Sequence, residues 1–189
     1  MRKFQQNFSN FKEGDCRSVS RKIVLNELIQ DKDFSRCEFS HLKFFNCSFK
    51  DVSFGDLEGY SLTFCNCQFN HVTTGEDCQL RKVIFRNCQF INCYFRKSAF
   101  YNVRSVNCQL NDVDFSCVDF TDYEFEESQF LTVSFDGSEI DNLTIQNSTL
   151  KDIYFYSITV FKTFSQNDTL TTQKIEIQDY PSFLREFVK

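Results

Sequence analysis

Cysteine and histidine are the side chains of this 189-residue chain best suited to bind a metal or carry out catalysis. The sequence has ten cysteines and two histidines, His41 and His71. Structural zinc sites take these ligands at close spacings, such as a repeated C-x-x-C. Here Cys65 and Cys67 are two residues apart, and no histidine follows them at zinc-finger spacing. We therefore predict no metal site and no bound cofactor.

The sequence also lacks motifs of catalysis. It contains no G-x-S-x-G turn, no glycine-rich phosphate loop, no H-E-x-x-H and no EF-hand loop. Neither His41 nor His71 has a recognisable partner for a catalytic triad. We predict that the protein is not an enzyme.

Acidic residues are concentrated in one stretch, residues 114–141, which contains nine of them and no basic residue. They are Asp114, Asp119, Asp122, Glu124, Glu126, Glu127, Asp136, Glu139 and Asp141. This stretch is either a solvated, solubilising end of the molecule or a docking surface for a basic partner. In the second interpretation, spaced carboxylates imitate the phosphates of DNA. The net charge of −5 argues against direct binding of nucleic acid.

A five-residue repeat positions these side chains. Large apolar residues, mostly phenylalanine, recur every five residues from 34 to 74 and, after a slip of one residue near 74–77, from 80 to 160. Only Gly59, Thr74 and Ser105 break this column. A second column, two residues earlier, holds compact side chains such as cysteine and valine. Both columns are therefore predicted to point inward.

A period of five fits neither the α-helix nor the simple strand. It predicts a chain that turns a corner every five residues, so that four repeats make a square coil of twenty. Such coils stack like strands, about 4.8 Å apart. Asparagine or aspartate is common two residues after the large apolar residue, and these residues tolerate turn geometry. We expect them at the corners.

Residues twenty apart, or twenty-one across the slip, should stack on one face. One such column contains Cys47, Cys67, Cys88 and Cys108, followed by Ser128 and Ser148. It is either a redox or metal ladder or a small inward residue repeated by every coil. The second interpretation is favoured because free cysteine packs as a small hydrophobe. Asparagine columns and the pair Asp119 and Glu139 should stack in the same way.

The two ends depart from the repeat, which suggests three regions. Residues 1–33 form an N-terminal extension, in which residues 18–30 have apolar residues at helical spacing and are predicted to form a capping helix. The alternative is a degenerate first coil, since Val24 and Ile29 also keep the five-residue phase. Residues 34–165 form the β-helix, and residues 166–189 a strand and a short helix. The apolar residues of that helix, which cap the last coil or dimerise, are Tyr180, Phe183, Leu184, Phe187 and Val188.

No apolar run approaches the ~20 residues of a membrane span. The first residues, MRKFQQNFSNFKEGD, lack the apolar stretch of a secretory signal. We expect a cytoplasmic protein with reduced cysteines and no membrane contact.

The phenylalanine- and cysteine-rich repeats, over roughly residues 34–160, resemble the pentapeptide-repeat family. Residues 29–40, IQDKDFSRCEFS, and 174–187, KIEIQDYPSFLREF, resemble its topoisomerase-protecting branch, the quinolone-resistance and microcin-immunity proteins. The resemblance implies an all-β fold, a right-handed quadrilateral β-helix with short terminal helical caps.

The resemblance also implies a function. It indicates an acidic, DNA-mimicking rod that forms a homodimer through its C-terminus. Such a protein binds DNA gyrase or topoisomerase IV and protects the enzyme from a toxin or drug. The projecting loops of the drug-resistance members have no counterpart here, where one extra residue near 75–77 is the sole interruption. The alternative is a generic protein–protein interaction scaffold with an unrelated partner.

Overall fold

The chain winds around one axis, and each coil pairs with the next through parallel strands. The computed structural model describes Phe8 and residues 18–159, and the backbone of Val160 and of residues 164–167 and 175–176. The strands are β1 (Ser18–Ser20), β2 (Ile23–Leu25), β3 (Leu28–Asp33), β4 (Glu38–Ser40), β5 (Lys43–Phe45), β6 (Ser48–Ser53), β7 (Glu58–Tyr60), β8 (Thr63–Cys65), β9 (Gln68–Thr73), β10 (Gln79–Arg86), β11 (Gln89–Tyr94), β12 (Ala99–Val106), β13 (Gln109–Asp114), β14 (Asp119–Glu126), β15 (Gln129–Ser134), β16 (Glu139–Ile140), β17 (Leu143–Gln146), β18 (Thr149–Tyr154), β19 (Thr159–Val160), β20 (Phe164–Asn167) and β21 (Ile175–Glu176). Together they form a parallel β-solenoid of about seven turns, which confirms the predicted fold class.

The strand register follows the predicted coil length. Ser18 pairs with Glu38, twenty residues later, whereas Gly59 pairs with Leu80, twenty-one residues later. The predicted slip is therefore confirmed. The strands form two sheets, one of 13 strands and one of 8.

Each coil has four faces, separated by corner residues. The first face carries residues 99–101 and 119–121 and the second carries 104–106 and 124–126, all within the 13-stranded sheet. The third face carries residues 109–111 and 129–131 in the 8-stranded sheet. The fourth face carries residues 114–116 and 134–136. The same faces continue along the other coils in steps of twenty residues.

Corners are made by residues with left-handed backbone geometry. Twenty-six residues other than glycine have φ between 50° and 62°, and most fall at the fifth-residue positions where asparagine and aspartate are common. Asparagine and aspartate visit this region more readily than other non-glycine residues. The predicted role of these residues is confirmed.

Stacked phenylalanines fill the axis of the coil. Phe44 and Phe64 lie with their ring centroids 4.9 Å apart and 5° from parallel, and Phe85 continues the stack 5.1 Å from Phe64. A second stack joins Phe49 to Phe69 at 4.9 Å. The cysteines and valines of the second column are buried beside them, as predicted.

Each of the three exceptions in the large-residue column is compensated by a neighbour. At Gly59, an added Cβ would lie 2.6 Å from Cδ2 of Leu80, so leucine already occupies the space. The buried hydroxyls of Thr74 and Ser98 lie 2.6 Å apart. Ser105 lies 2.9 Å from the hydroxyl of Tyr123, whose ring is buried in the core.

The predicted capping helix at residues 18–30 is wrong, and the alternative, a degenerate first coil, is correct. These residues form β1, β2 and the start of β3, which pair with β4, β5 and β6. Residues 18–33 thus already belong to the β-helix, ahead of residue 34. Strand pairing prevails because Val19, Val24 and Ile29 all enter the core in the five-residue phase.

Phe8 covers the open end of this first coil. Its ring is fully buried and lies 6.0 Å from Phe34, 5.7 Å from Phe39 and 5.2 Å from Phe44, measured between centroids. The ring of Phe8 therefore packs on the first phenylalanines of the stack.

At the other end, β20 and β21 continue the pairing on β17 and β18. Ile175 lies in the strand predicted for that region. The predicted C-terminal helix, with Tyr180, Phe183, Leu184, Phe187 and Val188, lies outside the described residues. Within the described part of the chain, no helix is long and apolar enough to span a membrane.

Candidate functional site: an acidic surface on two adjacent faces

Seven of the nine predicted acidic residues lie on the first and second faces, over two consecutive coils. We call this set the acidic surface; it consists of Asp119, Asp122, Glu124, Glu126, Glu127, Glu139 and Asp141. The other two, Asp114 and Asp136, lie on the fourth face. The corner at Asp122 joins the two acidic faces.

Asp119 and Glu139 stack as predicted, as direct neighbours in the register between β14 and β16. Burial, together with the negative charge of Glu139, raises the pKa of Asp119 above its ordinary value. The two carboxylates therefore repel each other at the edge of the first face.

Arg104 holds two of the acids on the second face. Its Nε lies 3.0 Å from Oε2 of Glu124, and its terminal nitrogen bonds to Oε2 of Glu126. In contrast, Asp119, Asp122, Glu127 and Glu139 make no ion pair with any described residue. The unneutralised charge of the acidic surface is therefore concentrated at its corners and along its first face.

Asp114 and Asp136 are engaged within the fold. Asp114 is paired with Arg96, which raises the pKa of that arginine, and its Oδ1 accepts a hydrogen bond from the Ser116 amide at 2.8 Å. Asp136 accepts a hydrogen bond from the Tyr156 amide at 2.8 Å. Both carboxylates organise the fourth face, away from the acidic surface.

An asparagine ladder leads along one corner to the acidic surface. The side-chain amides of Asn46, Asn66, Asn87 and Asn107 each donate to the side-chain oxygen of the asparagine one coil earlier, at 3.0, 3.2, 3.0 and 2.9 Å, starting from Asn26. Glu127 is next in the column and has no N–H to donate from its side chain. The predicted stacking of amides is confirmed, and the donor sequence ends at Asn107.

A basic patch lies on the same two faces, two coils before the acidic surface. Net charges summed over long segments of the sequence do not show it. It consists of Arg81, Lys82 and Arg86, which are exposed. The Arg81 guanidinium lies 4.9 Å from the centroid of Tyr101, and Lys82 donates to the Tyr60 hydroxyl at 3.2 Å. The twenty-residue register was the signal that could have located this patch.

The cysteine column is buried and bonded to the backbone. Cys67 and Cys88 donate S–H to the carbonyl oxygens of Phe44 and Phe64, at 3.6 and 3.5 Å. Elsewhere in the second column, burial raises the pKa of Cys78 to about 12 and that of Cys93 to about 11. These thiols pack as small core groups, and the ladder continues in Ser128 and Ser148, whose hydroxyls accept from backbone amides.

The two histidines lie at corners, at φ of 54° and 52°. Nδ1 of His71 is 3.4 Å from Asp51, and its Nε2 is 3.2 Å from the Asn92 amide nitrogen. The ring of His41 lies 5.4 Å from that of Tyr60. Among residues that the structure describes, no three metal-binding side chains form a cluster.

A surface depression of about 420 Å³ lies on the first face of the N-terminal coils, around Gly59. Its lining includes Glu38, Glu58, Tyr60 and Arg81. The depression is separate from the acidic surface and contains none of the cysteines or histidines.

Comparisons with known proteins identify the fold. Neither protein-family models nor curated proteins gave a match. A solved structure of trypsin-treated QnrB1, a plasmid-mediated fluoroquinolone resistance protein, is similar with a TM-score of 0.61 and 16% identity, covering 92% of this chain and 97% of that chain. Full-length QnrB1 is similar with a TM-score of 0.52 and 16% identity, covering 91% and 94%. The predicted pentapeptide-repeat fold is thereby confirmed.

Proposed function

We propose that this protein is a non-enzymatic interaction protein that binds a type II topoisomerase, DNA gyrase or topoisomerase IV, and protects it from a toxin or drug. The observation that carries the proposal is the acidic surface. Its seven carboxylates and the single positive charge of Arg104 leave six negative charges on two adjacent faces. Likeness of fold to a fluoroquinolone resistance protein supports the same function.

The spacing of the acidic surface suits a groove that binds DNA. Asp119 and Glu139 recur on the first face one coil apart, at about 4.8 Å, while Asp122 and Glu127 stand at the two corners of one coil. A duplex carries one negative charge per about 1.7 Å of its axis. The acidic surface therefore presents a sparser line of charge, which a basic groove can bind without reading base edges. Because the rod is itself acidic, it competes with DNA and does not bind it.

The C-terminal residues 180–188 complete this proposal as a dimerisation element. A two-fold dimer would place two acidic surfaces on one longer rod. Removal of residues 183–189 should then abolish this C-terminal dimer in sedimentation analysis at high salt, with the coil intact by circular dichroism.

The direct test is gyrase supercoiling at increasing concentrations of this protein, with and without a gyrase poison. The decisive variant reverses two exposed corner acids, Asp122→Lys and Glu127→Lys. The matched control is Asp112→Lys, since Asp112 is also an aspartate at a left-handed corner but on the opposite side of the coil.

We expect the wild type and the control to inhibit or protect gyrase, and the double variant to lose that effect at least tenfold. Equal activity of all three would contradict a role for the acidic surface. No effect of the wild type at micromolar concentration would contradict the proposal itself.

An interaction scaffold with an unrelated partner is the second candidate, and the third face favours it. This face carries an uncharged column that includes Gln89 and Gln109, joined by a hydrogen bond of 3.3 Å. Ile91 and Leu131 are exposed on the same face, by 36% and 39%. Substitution of both aliphatic residues by serine should abolish binding to such a partner and leave any gyrase effect unchanged.

A further inference from the structure

The basic patch and the acidic surface lie in the same columns, one coil before and one coil after the coil of Asn102. Lys82, Asn102 and Asp122 occupy successive corners, with φ of 55°, 53° and 53°. The flanking strand pairs fix their register, because Arg81 pairs with Tyr101 and Tyr101 pairs with Thr121. A neutral residue thus stands between a cation and an anion, one coil from each.

The second face repeats this arrangement in another column. Arg86 pairs with Val106, and Val106 pairs with Glu126. The coil that contains Asn102 and Val106 therefore lies between cations on one side and carboxylates on the other, and its own cation, Arg104, is bonded to Glu124 and Glu126. At about 4.8 Å per coil, the opposite charges lie roughly 10 Å apart within one chain.

Neither cation of these columns is neutralised within the described part of the chain. Lys82 and Arg86 form no ion pair there, whereas Arg96, Lys97 and Arg104 each do. Unpaired charges of both signs therefore face solvent on one continuous surface.

We propose that the second face and its corner at Asn102 bind a second copy of this chain, antiparallel to the first. A two-fold axis in the plane of the interface and perpendicular to the coil axis reverses the order of coils but preserves each column. With the axis at the coil of Asn102, Lys82 meets Asp122 of the second copy, and Arg86 meets its Glu126. Each contact occurs twice, as an isologous interface requires.

The centre of this interface has one apolar column and one charged column. Val106 lies on the axis and meets its own copy. Ile84, 40% exposed, lies one coil away in the column of Arg104, where it faces Glu124 of the second copy. Arg104 also meets its own copy, but each Arg104 is already bonded to Glu124 and Glu126. Arg86 of the second copy thus completes a network of two cations and two carboxylates.

The strength of the contact follows from its size and exposure. The three coils from Lys82 to Asp122 span on the order of 10 Å, so the face is smaller than the roughly 800 Å² per partner of a standard stable interface. Exposed charge pairs are weak individually and are screened by salt. We therefore expect a reversible association that depends on concentration and ionic strength. It would cover Asp122 and Glu126 and so compete with any basic partner of the acidic surface.

A reciprocal charge exchange tests the proposal by sedimentation velocity on the full chain. The basic exchange is Lys82→Glu with Arg86→Glu, and the acidic exchange is Asp122→Lys with Glu126→Lys. The control replaces Asp112 and Asp152 by lysine; both lie in one corner column on the opposite side of the coil.

We expect the association of the wild type and the control to weaken about tenfold between roughly 0.05 M and 0.5 M NaCl. Each exchanged variant should lose this salt-sensitive step alone, and an equimolar mixture of the two should regain it. A mixture that associates no better than its components would overturn the proposal. So would a wild type whose association is indifferent to salt or is lost only on removal of residues 183–189.

This inference does not depend on the proposed function, and the two can fail separately. The basic exchange should abolish self-association and leave the acidic surface free, so any gyrase effect should persist or increase. A wild type that self-associates but has no effect on gyrase would count against the topoisomerase proposal alone.

Discussion

The hydroxyls of Tyr123 and Ser105 lie 2.9 Å apart inside the core, one coil from each other. Ser105 occupies a position where the repeat normally has phenylalanine, and Tyr123 occupies one where it normally has a compact residue. The tyrosine ring therefore fills the volume that serine leaves. Its ring also stacks on Phe125, with centroids 4.4 Å apart. The two departures from the repeat therefore compensate each other, because the large side chain has moved from one position to the other.

The exchange predicts strong coupling between these two positions. Tyr123→Val should lower the free energy of unfolding by about 3 kcal/mol, because it leaves a cavity and an unpaired hydroxyl. Ser105→Phe alone should also destabilise, because its ring would overlap Tyr123. The double variant restores the regular repeat and should recover at least half of the summed loss. Urea denaturation of the four proteins measures the coupling, and additive losses would contradict it.

The asparagine ladder predicts a stabilising substitution at Glu127. Glu127→Asn supplies an amide that can donate to Asn107, and asparagine suits the φ of 50° better than glutamate. We expect the free energy of unfolding to rise by about 1 kcal/mol. Glu127→Gly is the matched control, because it relieves the backbone without adding an amide. A gain no larger than that of the glycine variant would contradict the extension of the ladder.

The raised pKa of Asp119 predicts a dependence of stability on pH. The folded state binds the proton of Asp119 more tightly than the unfolded state, whose reference pKa is 3.8. The ionised carboxylate is therefore unfavourable for folding, and its cost appears as the pH rises from 3.8 through the folded pKa. Asp119→Asn should raise stability at pH 7 but not at pH 3. Thermal unfolding at both values measures the effect, and an equal change at both would contradict it; Asp112→Asn serves as the control.

Thiol labelling should separate Cys117 from the cysteines of the core. Cys117 is exposed at a corner, whereas Cys78 and Cys93 are buried with raised pKa values. Since the thiolate is the reactive form, iodoacetamide at pH 8 should label Cys117 in the native protein and the two buried thiols only after unfolding. Peptide mass spectrometry identifies the sites, and Cys117→Ser removes the label from that peptide. Rapid native labelling of Cys78 would contradict the packing described for the core.

The repeat itself was predictable because every fifth residue is buried and must therefore be large and apolar. Phenylalanine at one position and a compact residue two before it can both point inward only if the chain turns at a fixed interval. The slip near Gly75 and the corner positions of asparagine follow from the same constraint. For this reason the coil length, the strand register and the stacking of Asp119 on Glu139 were all correct.

The N-terminal boundary was not predictable in this way. Val19, Val24 and Ile29 satisfy both a five-residue phase and an approximate helical face over a short segment. The choice depended on pairing with β4, β5 and β6, whose free edges a helix would leave unsatisfied. The capping role of Phe8 likewise depends on a core end that exists only once the first coil has formed.

By itself, the sequence determined the coil, its core and the list of charged residues, since each follows from spacing along the chain. Tertiary structure alone decided which of those charges remain free. Arg104 binds Glu124 and Glu126 and Arg96 binds Asp114, while Lys82 and Asp122 form no ion pair in the described residues. The reason is geometric, because an ion pair requires two flexible side chains to reach each other across coils. The position of a residue in its column decides which residues lie beside it, but the length and conformation of its side chain decide which ion pairs it forms.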